Sequence, residues 1–155
     1  MNNRNERFLC LYSGSSGNSL FIETSSTKIL IDAGESAKKI VSALENIDVN
    51  VDEINAIFVT HEHSDHIKGL ATLSKKYNIP VYANLETIED LNISPFEIPH
   101  DAANPCGFNV FYNNNKISIA TDLGHIDNNI IKRLENSSFI LLESNYDPNV
   151  LKCFN

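Results

Sequence analysis

Six consecutive residues concentrate metal-binding side chains in one short segment of this chain. They read His61-Glu62-His63-Ser64-Asp65-His66, between a hydrophobic run at Ala56 to Thr60 and a stretch of helical periodicity at Ile67 to Tyr77. Imidazole and carboxylate groups are the ligands that zinc and similar metals take in proteins. Because packing alone does not explain so many of them between a strand and a helix, we interpret the segment as a metal site.

The spacing within this segment indicates two ions rather than one. Side chains alternate along an extended backbone, so His61 and His63 project from the same side and can bind one ion together. Asp65 and His66 fall at the start of the predicted helix, near the positive end of its dipole, and can turn toward a second ion. The alternative is a polar surface loop in which Ser64 or Asp65 only caps the helix.

Three further polar residues stand at the ends of predicted strands. They are Asp32 after Lys28 to Ile31, His100 after Phe96 to Ile98, and Asp122 after Ile117 to Thr121. Singly, each can be explained as a residue that ends a strand, and Asp32-Ala33-Gly34 can be explained as a turn. Together with the histidine cluster they become candidate ligands or partners of ligands.

The motif His-x-His-x-Asp-His between a strand and a helix resembles the signature of the metallo-β-lactamase superfamily. Four other segments are similar to its YycJ/WalJ-like group: Ser13-Gly14-Ser15-Ser16-Gly17-Asn18, His100-Asp101-Ala102-Ala103-Asn104-Pro105, Ala120-Thr121-Asp122-Leu123-Gly124-His125 and Leu142-Glu143-Ser144-Asn145. The resemblance runs from about Phe8 to Leu151. Members of that group are cytoplasmic metallohydrolases linked to cutting DNA from the 5′ end.

The resemblance implies an αββα sandwich with two divalent ions, Zn or Mn, at one edge of two facing sheets. It assigns His61, His63 and His100 to the first ion, Asp65 and His66 to the second, Asp122 to both as a bridge, and Asp32 to the orientation of the histidine loop. The implied reaction is hydrolysis of a phosphodiester by metal-activated water. Asp65 would hold that water, and His125 is a candidate donor of the leaving-group proton.

The segment from Ser13 to Asn18 is a second candidate contact with the substrate. Its small residues and backbone amides, with the side chains of Ser13, Ser15, Ser16 and Asn18, are suited to holding a phosphate near the metals. It lacks the lysine of a nucleotide-binding P-loop. A tight connection between two strands explains the same residues equally well.

Two departures from the group's pattern lead us to expect an incomplete second half of the sandwich. Between Thr87 and Ser94 the chain runs almost straight from one strand to the next, where relatives carry an additional helix and strands. It ends at Asn155, before the region that supplies a final histidine ligand, and Asp147-Pro148 reads as the start of a helix that is cut off. We therefore expect uncovered apolar sheet surface that favours self-association, and a second metal site that lacks a ligand.

These departures leave alternatives to a DNA exonuclease. One is a truncated relative that binds metal without turnover. Another is a hydrolase of a different substrate, such as a thioester or a lactone. A formal charge of −8, from 12 basic and 20 acidic residues, disfavours unassisted binding to nucleic acid, although two divalent ions would offset part of it.

Length and composition indicate one domain spanning residues 1–155 without a membrane segment. Of all residues 42% are hydrophobic, which is enough for a core, and no apolar run approaches the length of a membrane span. The polar start of the chain does not read as a signal peptide. Three cysteines, an odd number without metal-site spacing, suit reduced thiols, so we expect a cytoplasmic protein.

The alternation of periodicities predicts an α/β (α+β) protein with mixed sheets. The predicted strands are Phe8 to Tyr12, Leu20 to Thr24, Lys28 to Ile31, Ala56 to Thr60, Val81 to Ala83, Phe96 to Ile98, Phe108 to Tyr112, Ile117 to Thr121 and Phe139 to Glu143. The predicted helices are Ala37 to Asn46, Ile67 to Tyr77 and Asn128 to Leu134, the last capped by Asp127.

Overall fold

The first of two five-stranded sheets comes from the amino-terminal half of the chain. The computed structural model describes residues 6–82, 86–88, 91–112 and 114–142. The strands of this sheet are β1 (Arg7–Tyr12), β2 (Ser19–Glu23), β3 (Lys28–Ile31), β4 (Ala56–Phe58) and β5 (Val81–Tyr82), in that spatial order. The strands β1 to β3 pair antiparallel, whereas β3, β4 and β5 pair parallel.

The second sheet is built from the strands that follow. They are β6 (Glu86–Ile88), β7 (Leu91–Glu97), β8 (Cys106–Tyr112), β9 (Asn115–Ala120) and β10 (Phe139–Leu142). The spatial order is β10-β9-β8-β7-β6, with β10 parallel to β9 and the other neighbours antiparallel. The chain therefore forms mixed sheets, as predicted.

Helices cover the outer faces of both sheets. They are α1 (Ala37–Glu45), α2 (Ser64–Ile67), α3 (Leu70–Tyr77) and α4 (Asn128–Leu134), with a 3₁₀ turn at Val51–Glu53. The Asp127 side chain accepts hydrogen bonds from the first amides of α4, as the sequence predicted. Among the described residues, no helix has the length and apolar character needed to cross a bilayer.

Three apolar clusters show how the layers are held together. Between the sheets, residues such as Ile31 and Phe58 of the first pack with Phe108 and Ile119 of the second. On the outer face of the first sheet, Ile40 of α1 and Leu73 of α3 join a second cluster. Ile130 of α4 packs with Phe96 and Ala120 on the outer face of the second sheet. The order helix, sheet, sheet, helix is the predicted αββα sandwich.

Several predicted elements have shifted ends in the structure, and two regions differ more substantially. The helix expected at Ile67 to Tyr77 is divided into α2 and α3 around Gly69. Gly69 packs closely against Glu35, because a Cβ added to Gly69 would lie 2.4 Å from the Glu35 backbone oxygen. The run from Thr87 to Ser94 leads directly from one strand to the next, as predicted, but these strands are β6 and β7, which pair antiparallel. Strand β6 was not predicted, and β7 begins before the strand predicted at Phe96 to Ile98. The helix predicted to start at Asp147 lies outside the described residues.

Candidate metal centre

The ends of several strands bring the predicted ligands to one edge of the sandwich. Asp32 directly follows β3, and His61 comes three residues after the neighbouring parallel strand β4. His63 lies immediately before α2, and His66 lies within it. Asp122 follows β9 by two residues on the opposite sheet. The loop between β7 and β8 adds His100.

Three imidazoles form the first group that could hold an ion. One ligand atom from each of His61, His63 and His100 lies within 4.8 Å of the other two. Nδ1 of His63 and Nε2 of His100 are 3.1 Å apart. Nδ1 of His100 also lies 3.1 Å from a carboxylate oxygen of Asp101, which can orient the ring.

A second group overlaps the first at His61. It consists of His61, His66 and Asp122, again with ligand atoms within 4.8 Å of one another. Nε2 of His66 lies 2.9 Å from Oδ2 of Asp122 and 3.7 Å from Oδ2 of Asp65. His61 therefore belongs to both groups. Asp65 lies beside the second group without belonging to either.

The buried carboxylate of Asp32 fixes the orientation of two of these histidines. Its Oδ2 accepts from Nδ1 of His66 at 2.8 Å and from the Thr60 hydroxyl at 2.8 Å, and its Oδ1 accepts from the Thr60 amide. Because the Thr60 proton is used toward Asp32, its oxygen is left to accept from Nδ1 of His61, 3.0 Å away. Both histidines thus keep Nε2 for the metal centre.

Both aspartates at the strand ends have an unusual backbone. Asp32 and Asp122 adopt φ angles of 62° and 57°, in the left-handed region. A short polar side chain makes aspartate more tolerant of this region than most residues, yet the conformation still costs free energy. In each case the turn at the end of the strand directs a carboxylate toward the histidines.

The surroundings of His61 and His66 shift the pKa values of the two imidazoles in opposite directions. Burial, with the nearby rings of His66 and His100, lowers the pKa of His61 to about 4. Burial also lowers the pKa of His66, but the hydrogen bonds with Asp122 and Asp32 outweigh it and raise the pKa to about 10. These surroundings favour a neutral His61, and a positive charge on His66 beside Asp122.

The donor set fits a divalent metal. His61 is 4% exposed, and its buried Nε2 has no hydrogen-bond partner among the described residues. Leaving a buried nitrogen unsatisfied costs roughly 1 to 3 kcal/mol, which a coordinated ion would remove. Neutral imidazoles with a carboxylate are a borderline-metal ligand set.

The loop from Ser13 to Asn18 is tied to the metal centre through its last residue. Asn18 is 5% exposed and places its Nδ2 atom 3.0 Å from Nε2 of His66, whereas Ser13, Ser15 and Ser16 are exposed. Three amides of the loop donate within the protein: Gly14 to Oδ1 of Asn18, Gly17 to the Gly14 oxygen, and Asn18 to the Asp65 oxygen. The first two of these hydrogen bonds close the loop on itself, and the third holds it against the histidine segment.

Of the other residues near the site, some were predicted from the sequence and others were not. His125, predicted as a proton donor, is exposed beyond Asp122. Thr60 and Asp101 were not predicted, although each stands next to a ligand histidine and each contacts that histidine in the structure. A hydroxyl or carboxylate adjacent to a ligand histidine was the signal that could have identified them.

Comparison with known proteins agrees with this geometry. Residues 12–98 match the metallo-beta-lactamase superfamily. The chain belongs to the metallo-beta-lactamase superfamily. The match includes the histidine segment and Asp32, and it ends before His100 and Asp122, which the structure brings to the same edge.

Two curated relatives of this chain are named as nucleases. The chain is 35% identical to the exodeoxyribonuclease YycJ of Bacillus anthracis and 33% identical to the exodeoxyribonuclease WalJ of Streptococcus pneumoniae, with 94% of this chain and 65% of each relative aligned. The chain thus spans 65% of the length of each of these relatives, slightly less than two thirds. Because the alignment with YycJ covers 172 residues and this chain has 155, YycJ contains residues within it that have no counterpart here.

A solved structure supports the metallo-beta-lactamase fold independently. The metallo-beta-lactamase fold protein YhfI of Bacillus subtilis superposes with a TM-score of 0.74 at 15% sequence identity, over 84% of this chain and 65% of that chain. At this identity the likeness concerns the fold alone. It agrees with the two-sheet sandwich described above.

Proposed function

We propose that this metallo-beta-lactamase superfamily chain is a cytoplasmic metal-dependent phosphodiesterase that removes nucleotides from a DNA end. The observation that carries the proposal is the pair of candidate metal groups sharing His61. The names of the two curated relatives, both exodeoxyribonucleases, support the choice of DNA. We further propose two divalent ions, zinc or manganese, as the cofactor.

The roles of the side chains follow from their positions. His61, His63 and His100 would hold one ion, and His66 and Asp122 the other, with Asp65 beside it. Two such ions, when bound, lower the pKa of a water molecule and offset negative charge on the attacked phosphate. The Asp65 carboxylate, which is part-exposed, can accept a proton from the attacking water. His125 is the proposed donor of a proton to the leaving group.

The space beside the histidines can admit a substrate. A groove of about 1010 Å³ is lined by residues that include His61, His100, Val81 and Pro95. Its lining includes Glu62, Glu97 and several apolar side chains, with no lysine or arginine among the described lining residues. Since phosphate backbones bind through cations, we expect bound metal to supply most of the attraction for DNA and the affinity to fall at high salt.

The proposal is tested with matched carboxylate variants. Wild-type chain loaded with zinc or manganese should release nucleotides from a 5′-labelled DNA strand. Asp122→Asn and Asp65→Asn should each lower the rate by about 100-fold or more, because an amide neither neutralises an ion nor accepts a proton as a carboxylate does. Glu45→Gln, at an exposed position on α1, removes the same charge and should leave the rate unchanged.

Metal content and substrate choice separate the alternatives. Elemental analysis should find close to two ions per chain. The alternative result is a chain that holds two ions and turns over a thioester or a lactone but cleaves neither DNA nor a generic phosphodiester. That result would contradict the proposed substrate. One ion or fewer, with no turnover of any of these substrates, would contradict the proposal as a whole.

A further inference from the structure

The Asn18 carboxamide is held in one orientation at the edge of the second metal group. Its Oδ1 accepts the Gly14 amide at 3.0 Å, so its NH₂ group faces the opposite way, toward the metal centre. Nδ2 lies 3.0 Å from Nε2 of His66 and 3.4 Å from Oδ2 of Asp65. The backbone of Asn18 is fixed as well, because its N–H donates to the Asp65 oxygen and its carbonyl accepts from Gly34.

Metal binding changes the hydrogen-bond partners of this amide. An NH₂ group has two hydrogens to donate, and here they face the His66 nitrogen and the Asp65 carboxylate. An ion on Nε2 of His66 would replace the proton there and use the lone pair of the nitrogen, so Nε2 could not accept a hydrogen bond from Asn18. Asn18 is 5% exposed, so the hydrogen that faces Nε2 would be buried without an acceptor unless another oxygen enters the centre. Such an oxygen must carry lone pairs and reach the second metal group.

We propose that the Asn18 carboxamide donates a hydrogen bond to a phosphate oxygen of the substrate held at the metal centre. This assignment rests on the proposed function. It gives the loop from Ser13 to Asn18 a narrower role than a phosphate cradle, because the contact comes from one side chain while the Gly14, Gly17 and Asn18 amides hold the loop in place. A donor aimed at a developing negative charge stabilises it without reorganisation during the reaction.

The experiment measures phosphate binding without turnover. Inorganic phosphate is titrated into metal-loaded protein by calorimetry, and metal content is measured on the same samples. Asn18→Ala should weaken phosphate binding by roughly tenfold or more, as expected for a lost hydrogen bond to a charged group. Asn18→Asp should weaken it at least as much, because a carboxylate repels phosphate. Both variants should keep the metal content of the wild type.

Asn18→Asp keeps the test informative if Asn18→Ala fails to fold. It has the same shape and retains an oxygen that can accept the Gly14 amide, so the loop keeps its anchor. Asn128→Ala, at an exposed asparagine on α4, is the control and should bind phosphate like the wild type. Phosphate affinity that is unchanged in Asn18→Asp would overturn the assignment. Metal loss in that variant would also overturn it, in favour of a purely structural role.

The same experiment separates this assignment from the proposed function. Suppose that the wild-type protein takes up metal, binds phosphate and cleaves DNA, and that Asn18→Asp behaves identically. This result overturns the role of Asn18 alone. Wild-type protein that takes up no metal overturns the proposed function and this assignment together.

Discussion

At the scale of single residues, Thr60 and the Asp32 carboxylate hold two candidate ligand histidines in place. The Thr60 hydroxyl donates to Asp32 and accepts from Nδ1 of His61, which leaves Nε2 of His61 for a metal. Asp32 also accepts directly from His66. One buried carboxylate therefore sets the tautomer of both rings through two short routes. Such partners of ligand histidines affect metal affinity strongly although they never contact the ion.

This arrangement predicts a difference between two substitutions at Thr60. Thr60→Val keeps the shape but removes the hydroxyl, so Asp32 loses a donor and His61 loses an acceptor. We expect zinc affinity to fall by roughly 10- to 100-fold. Thr60→Ser keeps the hydroxyl and should stay within about threefold of the wild type. Competition with a chelator of known affinity measures both, and a valine variant that binds zinc as tightly as the serine variant would contradict the route through Thr60.

Single residues also show which features of the candidate site could be predicted from the sequence. The ligand candidates in the segment from His61 to His66 were predictable because their adjacency in sequence already implies adjacency in space. The overlap of the two groups at His61 was not, since it depends on which ring nitrogen Thr60 engages. The left-handed backbone of Asp32 and Asp122 likewise depends on where the strands end in three dimensions.

At the scale of elements, the short helix α2 depends on its neighbours for its position. It has only four residues, too few to be stable alone. Backbone hydrogen bonds tie it down, from the Ala33 amide to the His66 oxygen and from the Asn18 amide to the Asp65 oxygen. Gly34 lies so close that a Cβ there would be 1.5 Å from the Asp65 oxygen. The candidate ligands on α2 are therefore placed by the segment that follows β3 together with Asn18.

Gly34→Ala should accordingly displace α2 and weaken metal binding. Because the clash is with backbone, we expect a loss of roughly 3 kcal/mol or more in the free energy of unfolding, together with a lower metal content. Gly124→Ala is the comparison, since its nearest atom is the Pro99 oxygen at 3.0 Å, and it should cost much less. Urea denaturation measures the two losses. Equal stability of the Gly34 variant and the wild type would contradict the close approach.

The elements themselves were mostly predictable from periodicity. The strand Lys28–Ile31 and the helix Asn128–Leu134 have the predicted bounds. The division of the helix expected at Ile67 to Tyr77 was not predicted, because the apolar pattern continues across Gly69 while the contact with Glu35 is tertiary. Strand β6 was missed and β7 was predicted only near its end, at Phe96 to Ile98, since pairing between strands is a property of the fold rather than of local pattern.

At the scale of the whole molecule, β10 presents an apolar edge of the second sheet. Within the described part of the chain it pairs with β9 on one side only. Its residues Phe139, Ile140 and Leu142 are 48%, 44% and 43% exposed. Exposed apolar edge strands favour pairing with another chain. We therefore propose self-association through this edge.

Ile140→Lys tests that proposal, because a charge on an edge strand opposes pairing. We expect the wild-type chain to form a concentration-dependent oligomer in sedimentation velocity experiments and the variant to shift toward monomer. Ile131→Lys introduces the same charge at an isoleucine of α4 with a similar exposure of 48%, and it should leave the oligomer intact. Identical sedimentation of the wild type and both variants would contradict association through β10.

The membership of His61 in both candidate groups has a consequence for the order in which ions are taken up. With Nδ1 engaged by Thr60, a single nitrogen is available to two sites. At less than one equivalent of metal, we expect a mixture of two one-ion isomers that compete for the same atom. In a titration with cobalt, the absorption spectrum should therefore grow with a constant shape up to one equivalent and change shape only as the second ion binds.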